Sequence, residues 1–271
     1  GTVGFHPMVA FDGITGDFLK AQLRPGNVYT SNGVVDFVKP VIEHYNEKFP
    51  ETIPFLRGDS GFAVPDLYDL CEAESVYYVI RLKSNMNLQR LADELHPASA
   101  PSDVTKTECY YEETDYQAKS WSNPRKVIIQ SVRPAGELFF THSFFVTNLT
   151  DAFSPKDIVN TYKKRGTMEN YIKEAKNGFG LDKMNSHSFQ VNEAKMMVSL
   201  LAYNLTNWLR TLCFPEGQKG MQIATIRTRM IKVASKLVKS GRSFYFKLSS
   251  SFVYQKFFWN VLQRVQQFKL E

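Results

Sequence analysis

The sequence has few cysteines, no long apolar run and, near its C-terminal end, no acidic residues. The three cysteines, Cys71, Cys109 and Cys213, are widely spaced, so they form neither a zinc-ligand pattern nor a disulfide framework. No stretch approaches the roughly 18 uninterrupted apolar residues of a membrane-spanning helix, and no signal peptide stands at the start. These absences argue against a disulfide-stabilised secreted domain and a membrane protein, and they predict a cytoplasmic location.

Acidic residues are absent between Gly217 and Leu270. The same stretch contains eleven basic residues: Lys219, Arg227, Arg229, Lys232, Lys236, Lys239, Arg242, Lys247, Lys256, Arg264 and Lys269. The whole chain has a net charge of +6, so the remainder is mildly acidic. This asymmetry favours a polyanionic partner, with nucleic acid first and a membrane surface second. A solvated basic face is the alternative, although such a face usually includes acidic residues.

The first 84 residues alternate between strand and helix patterns. Apolar residues 5–11 and 18–23 flank a glycine-containing turn, which predicts a β-hairpin. Further along, periodicity predicts a helix at 34–49, a strand at 53–57, a short helix at 65–74 and a strand at 76–82. This order indicates an α/β domain with a mixed sheet.

The pattern changes after residue 84. Residues 85–105 are polar and contain two prolines, and β-like segments follow at 108–116, 119–121, 125–132 and 138–148. We interpret residues 85–142 as a β-rich insertion between two parts of a core, 1–84 and 143–215. The strand at 143–149 then returns to the core.

Helical patterns dominate the remainder of the chain. Residues 190–212 have an apolar stripe that predicts a packing surface, and residues 223–238 are amphipathic. We assign 216–271 as a basic, helical and aromatic C-terminal region. Its aromatic residues, from Phe244 to Trp259, could stack on nucleic-acid bases, although we expect them to dock on the core.

The stretch from Tyr162 to Lys176 carries most of the functional signal. Arg165, Glu169 and Lys176 follow Tyr162 at offsets of 3, 7 and 14, which predicts that all four side chains share one helix face. Ser154 and Pro155 supply an N-cap and a first helical residue. A surface helix with ordinary ion pairs would explain the same spacing without any function.

Asp59 follows a predicted strand and stands in the sequence Gly58-Asp59-Ser60-Gly61. Glycines on both sides of an acidic residue allow the backbone to approach a ligand closely. Phosphodiester chemistry on DNA needs carboxylates that hold two divalent ions, and cations that bind phosphates. Asp59 and Glu169 are the carboxylate candidates. Arg165 and Lys176 would bind phosphate, and Tyr162 would position the DNA backbone.

The run Tyr162-x2-Arg165-x3-Glu169-x6-Lys176 resembles the YREK signature of DDE insertion-sequence transposases. The resemblance continues in residues 4–26 and 56–62, and residues 226–229 with the basic tail resemble the end of the DDE group 1 subfamily. It implies an RNase H-like mixed sheet flanked by helices, with a β-rich insertion and a helical C-terminal part. It also implies that Asp59 and Glu169 are the second and third members of the DDE triad, holding two Mg²⁺ or Mn²⁺ ions.

The resemblance further implies a transposase that hydrolyses phosphodiesters at element ends and transfers the strand to target DNA. Such an enzyme would act as a homodimer on DNA, in a bacterial cytoplasm near the nucleoid. Arg81, Lys83, Arg227 and Arg229 are expected as additional DNA contacts.

The family's first aspartate lies on the first core strand, and this sequence has no counterpart of either. We therefore expect an inactive fragment that lacks both. The alternative is a non-catalytic DNA-binding protein derived from a transposase.

Overall fold

The computed structural model describes residues 4–96 and 105–269, which form two compact units. The sheet unit comprises residues 4–8 and 24–167, and the helical unit comprises residues 9–23 and 168–269. Most of the proline-containing part of the segment predicted at 85–105 lies outside the described residues.

The strands, in chain order, are β1 (Met8–Phe11), β2 (Phe18–Gln22), β3 (Phe55–Gly58), β4 (Tyr77–Leu82), β5 (Glu108–Tyr116), β6 (Arg125–Arg133), β7 (Thr141–Thr147), β8 (Ser235–Ser240) and β9 (Ser243–Leu248). The helices are α1 (Val34–Lys48), α2 (Pro65–Ala73), α3 (Met86–Leu95), α4 (Pro155–Lys163), α5 (Gly166–Phe179), α6 (Phe189–Cys213), α7 (Ile223–Ile226) and α8 (Gln255–Gln267).

The sheet unit contains a five-stranded mixed sheet in the order β3-β4-β7-β6-β5. Strands β3 and β4 are parallel, and Phe55 lies opposite Tyr77. The pairs β4–β7, β7–β6 and β6–β5 are antiparallel, with Val79 opposite Thr147 in the first of them. The predicted α/β class with a mixed sheet flanked by helices is therefore confirmed. The strands of the segment interpreted as an insertion continue the same sheet as β3 and β4.

Apolar residues on the central strands form the core of the sheet unit. Ile128 and Val79 are fully buried and contact Ile158 and Val159 of α4. Helix α4 starts as predicted, because the Ser154 hydroxyl accepts a hydrogen bond of 3.2 Å from the Asp157 backbone N–H. Residues 127–129 of β6 and 144–146 of β7 are short apolar runs that are buried, which explains why the two strands were recognisable in the sequence.

The structure differs from the sequence interpretation at two places in the sheet unit. The segment after residue 84 contains α3, because Asn85 caps a helix by accepting a 3.0 Å hydrogen bond from the Leu88 N–H. Leu88 and Ala92 are one helical turn apart, and both are buried. Residues 119–121 form no strand, and Trp121 is buried from a loop.

The predicted hairpin is confirmed as β1–β2, most of which lies in the helical unit. Along one edge of this hairpin, side chains of α6 take the place of a third strand. The Asn204 amide accepts a hydrogen bond from the Phe18 N–H at 2.7 Å and donates one to the Phe18 carbonyl at 2.8 Å. The Tyr203 hydroxyl donates a bond to the Gly16 carbonyl at 3.0 Å. These bonds satisfy backbone groups that a two-stranded sheet leaves unpaired.

The predicted packing stripe of α6 is wrong. Val198 is 65% exposed, and Leu201 and Leu205 are each 55% exposed. The buried face instead includes polar residues such as Asn192 and Asn207. An apolar stripe indicates the core-facing side of a helix only when the opposite side is left to solvent. Here the opposite side hydrogen-bonds the hairpin.

The predicted helix at 223–238 is also wrong. Helix α7 ends at Ile226, a turn of π-helix covers Arg227–Ile231, and β8 follows. Strand β8 pairs with β9, on which Phe244 and Phe246 are exposed. Phe257 of α8 does dock as expected, with its ring 5.1 Å from that of Phe214. Among the described residues, no helix combines the length and apolar character needed to cross a bilayer.

Candidate active site

The four residues of the Tyr162–Lys176 pattern do not lie on one helix, so that prediction is wrong. Helix α4 ends at Lys163 and α5 begins at Gly166. Between them, the Arg165 N–H donates to the Tyr162 carbonyl at 2.8 Å, a three-residue turn in place of the four-residue helical bond. Gly166 is a poor helix former, which favours a break at this point.

Tyr162, at the end of α4, is half-buried in the core of the sheet unit. Its ring lies 4.8 Å from that of Phe145, and it packs against the cluster that includes Val79 and Ile158. The ring therefore stabilises the attachment of α4 to the sheet. The predicted DNA-positioning role of Tyr162 stays a prediction.

Asp59 lies immediately after β3, in a loop that holds its carboxylate. The backbone N–H of Gly61 donates a hydrogen bond to Asp59 Oδ1 at 2.9 Å. A Cβ atom on Gly61 would lie 2.3 Å from Thr30 Cγ2 and 3.0 Å from Asp59 Oδ1. The close approach of these groups thus requires glycine at position 61.

Arg165 contacts the same carboxylate. Its Nη2 donates a hydrogen bond of 2.9 Å to Asp59 Oδ2, and the side chains are 16% and 43% exposed, respectively. The hydrogen bonds from Gly61 and from Arg165 each use one acceptor position of the Asp59 carboxylate, and a carboxylate offers about four such positions. Asp59 therefore keeps acceptor capacity, and its side chain is 43% exposed.

Arg24 supports this loop and was not recognised as important from the sequence. Its buried guanidinium donates to the carbonyls of His6 at 3.1 Å, Thr30 at 3.2 Å and Asn32 at 2.8 Å. Burial lowers the pKa of Arg24. These bonds fix the segment that brings Thr30 against Gly61. The sequence offered only a turn-forming Arg-Pro-Gly-Asn run at this point.

Lys83 lies close to the Asp59 loop, because parallel neighbours β3 and β4 end at the same edge of the sheet. Its amino group donates to the Tyr29 hydroxyl at 3.0 Å, and this bond and charge lower the pKa of Tyr29. Lys83, Tyr29 and Gly61 line a pocket of about 190 Å³. Arg81, in contrast, is an exposed residue within β4.

Glu169 and Lys176 lie on α5 in the helical unit, seven residues apart, and both are exposed. Two turns of helix separate them, so they share one face. The opposite face is fixed by Glu174, whose carboxylate accepts bonds of 2.9 and 3.1 Å from Arg210 and one of 3.0 Å from the Ile223 N–H. This buried contact determines the face of α5 on which Glu169 lies.

Arg227 and Arg229, the other predicted DNA contacts, bind groups within the helical unit. The Arg227 guanidinium donates to the Gly178 carbonyl and lies 5.9 Å from the centre of the Phe179 ring. Arg229 lies 4.8 Å above the Tyr254 ring. Both side chains are half-buried. Their roles toward DNA stay predictions.

A preformed metal site is not apparent among residues 4–96 and 105–269: they contain no group of three or more His, Cys, Asp or Glu side chains that could hold a metal ion. The two candidate ligands belong to different units, Asp59 to the sheet unit and Glu169 to the helical unit. Their oxygens are nevertheless of the type that Mg²⁺ and Mn²⁺ prefer, and Asp59 retains acceptor capacity. The residues present therefore fit a divalent ion in chemical type.

Comparison with known families gives a match that spans nearly the whole chain. Residues 1–270 match the family described as transposase DDE domain group 1. No individual curated protein matches the chain.

Proposed function

Because the chain belongs to the DDE-domain transposases of group 1, we propose that it is the catalytic part of an insertion-sequence transposase. The observation that carries the proposal is the Asp59 carboxylate at the end of β3, held by Gly61 and Arg165 with acceptor capacity to spare. An acidic residue at the carboxyl end of a sheet strand, beside an arginine, suits an enzyme that acts on phosphodiesters.

Each predicted site residue has a distinct task in this proposal. Asp59 and Glu169 would hold divalent ions, Mg²⁺ or Mn²⁺, which supply Lewis-acid activation of the attacking and leaving oxygens when bound. Lys176 would bind a DNA phosphate on the same face of α5 as Glu169. Arg165, which orients Asp59, would also contact a phosphate, a group that a guanidinium binds well.

The substrate would be duplex DNA at element ends and at a target site, and the protein would act at the nucleoid in the bacterial cytoplasm. Arg81, Lys83, Arg227 and Arg229 would add contacts to the DNA backbone. We also propose a homodimer in the DNA complex. Sedimentation of the chain with and without duplex DNA tests this last point.

Two matched carboxylates are fewer than the three that the DDE triad uses. We therefore propose that this chain binds DNA and divalent ions, and that these two carboxylates alone do not support cleavage of DNA. The alternative is a non-catalytic DNA-binding protein derived from a transposase. The basic residues between Gly217 and Leu270 would support DNA binding in either case, because they bind phosphates without any carboxylate.

Titration of the whole chain with Mn²⁺, followed by electron paramagnetic resonance with duplex DNA present, separates the two functions. Weak Mn²⁺ binding that is lost in Asp59→Asn and in Glu169→Gln supports the transposase. The matched control is Glu43→Gln, which removes an exposed carboxylate from α1. DNA binding that is unaffected by a chelator, together with Mn²⁺ binding unchanged in both variants, would overturn the catalytic role of these residues.

A further inference from the structure

The hairpin β8–β9 projects into solvent on both faces. Six cross-strand pairs join the strands, from Ser235 opposite Leu248 to Ser240 opposite Ser243. Every residue of the two strands is exposed except Val238 and Leu248, which are half-buried. An isolated two-stranded hairpin is only marginally stable in water. A partner that covers one face would therefore stabilise it.

The charges of this hairpin indicate what the partner is. Lys236 lies directly opposite Lys247, and like charges in opposed positions destabilise a sheet. Arg242 lies in the connecting turn and Lys239 on β8. None of these four cations takes part in an ion pair in the part of the chain that the structure describes, and the surrounding sequence from Gly217 to Leu270 offers no acidic residue. The repulsion between two opposed lysines is reduced when an anion lies between them.

The two faces of the hairpin differ in chemistry. Because side chains alternate along a strand, Lys236, Lys247 and Tyr245 share one face. Leu237 and Phe246, which lie opposite each other, belong to the other face, which carries only Lys239 as a cation. The face with the lysine pair is therefore the one that favours a polyanion.

We propose that the hairpin β8–β9 is a DNA-binding element that enters the major groove, with Lys236 and Lys247 against backbone phosphates and Arg242 at its leading end. A two-stranded ribbon has the width that this groove admits. The choice of DNA over another polyanion rests on the proposed function. The assignment of the contact to this hairpin rests on the exposed, unpaired lysines.

The test compares salt dependence in the whole chain, using fluorescence anisotropy with a short mixed-sequence duplex. Each phosphate contact contributes about 0.9 to the slope of log affinity against log salt. We expect the slope of the Lys236→Gln/Lys247→Gln double variant to be shallower by about 1.8. Replacement of both lysines by arginine should retain the slope, and Lys39→Gln/Lys48→Gln on α1 should leave it nearly unchanged.

A second variant separates lost binding from lost folding. Lys236→Glu places opposite charges across the hairpin, so it should slow amide exchange in β8 and β9 while it weakens DNA binding further than Lys236→Gln. Misfolding would instead speed exchange.

The outcomes distinguish the two proposals. A wild-type slope in the double glutamine variant, with DNA binding intact, would overturn the role of the hairpin and leave the proposed function standing. Failure of the wild-type chain to bind any duplex would overturn both. Binding to anionic lipid vesicles without binding to DNA would assign the hairpin to a membrane surface and also reject the proposal.

Discussion

Arg165 donates a 2.9 Å hydrogen bond to the carboxylate of Asp59, although 106 positions separate them in the chain. This cation is less exposed than the carboxylate that it contacts, so it is held in place while Asp59 remains accessible. A guanidinium in this position lowers the negative potential that a metal ion would meet. It also fixes the orientation of the carboxylate.

Replacement of Arg165 should therefore change metal binding and DNA binding in opposite directions. In Arg165→Gln we expect Mn²⁺ to bind Asp59 severalfold more tightly, because the competing cation is gone, while affinity for duplex DNA falls. Titration with Mn²⁺ and anisotropy with duplex DNA measure the two effects. Arg57→Gln is a suitable control, since Arg57 bonds the Thr161 carbonyl at 3.4 Å in the same unit. Parallel losses of both affinities in Arg165→Gln would contradict this interpretation.

The sequence predicted the sheet unit better than the helical unit, and the reason is where side chains pack. In α1, Val34, Phe37 and Ile42 are buried on one face while the other meets water, so periodicity located the helix almost to the residue. Helix α6 buries Asn192 and Asn207, which hydrogen-bond other segments, and exposes its apolar stripe. Periodicity alone does not reveal such an inversion.

The candidate site was predictable only as a set of residue types. Asp59 was recognisable because glycines surround it after a strand pattern. Its contact with Arg165 depends on the break at Gly166, where a continuous helix was expected. Arg24 was recognisable only as part of a turn, because its role consists of bonds to backbone carbonyls of segments whose path the sequence does not specify.

Protonation of His142 should destabilise the sheet unit. The side chain is 3% exposed, its Nδ1 lies 2.8 Å from Ser131 Oγ, and its Nε2 lies 3.3 Å from Asp93 Oδ1. Burial lowers the pKa of His142 below its ordinary value of 6.5, and the Asp93 carboxylate only partly opposes this shift. The unfolded chain therefore takes up a proton at a higher pH than the folded chain does.

Proton uptake thus favours unfolding, and stability should fall as the pH drops below about 6.5, until the folded-state pKa is passed. The slope from one histidine cannot exceed about 1.4 kcal/mol per pH unit. Urea unfolding at a series of pH values measures it. His142→Gln should flatten the dependence in this window, whereas His44→Gln, at an exposed position on α1, should not. An equal slope in wild type and His142→Gln would show that another group is responsible.

Arg125 should be among the most sensitive positions of the sheet unit. Its guanidinium is 4% exposed, binds Glu72 through Nε at 2.7 Å and also binds Asp69. It lies 5.1 Å from the centre of the Tyr68 ring. These carboxylates raise the pKa of Arg125, so the cation is stable despite its burial.

Removal of this charge leaves two carboxylates without their partner, and Arg125→Met should lower the free energy of unfolding by about 2–4 kcal/mol. The upper limit of this expected loss is set below that of a fully buried ion pair, because Asp69 is 47% exposed. Arg90→Met on α3 is the matched control, since Arg90 is 78% exposed and its ion pair is long at 3.7 Å. Its effect should stay within about 0.5 kcal/mol. Equal losses in the two variants, measured by urea unfolding, would contradict a structural role for the buried pair.

Gly178 is the position on α5 where packing tolerates no side chain. A Cβ atom there would lie 2.2 Å from Ile223 Cγ2, and Ile223 is itself buried in the core of the helical unit. Gly178→Ala should therefore lower the free energy of unfolding by about 1–3 kcal/mol, as overpacking does. Gly166→Ala, at the start of the same helix, has no atom within 4 Å of its new Cβ and should be neutral or stabilising by up to about 1 kcal/mol.

A double variant determines whether the close contact between residue 178 and Ile223 causes the loss of stability. Ile223→Ala alone should destabilise by about 2–5 kcal/mol through loss of a buried side chain. Combined with Gly178→Ala it should cost less than the sum of the single effects, by at least about 0.5 kcal/mol, because the smaller residue makes room for the new methyl group. Strictly additive losses in urea unfolding would mean that Gly178 and Ile223 do not limit each other. In that case the close contact would not be what determines the position of α5, and with it the position of Glu169.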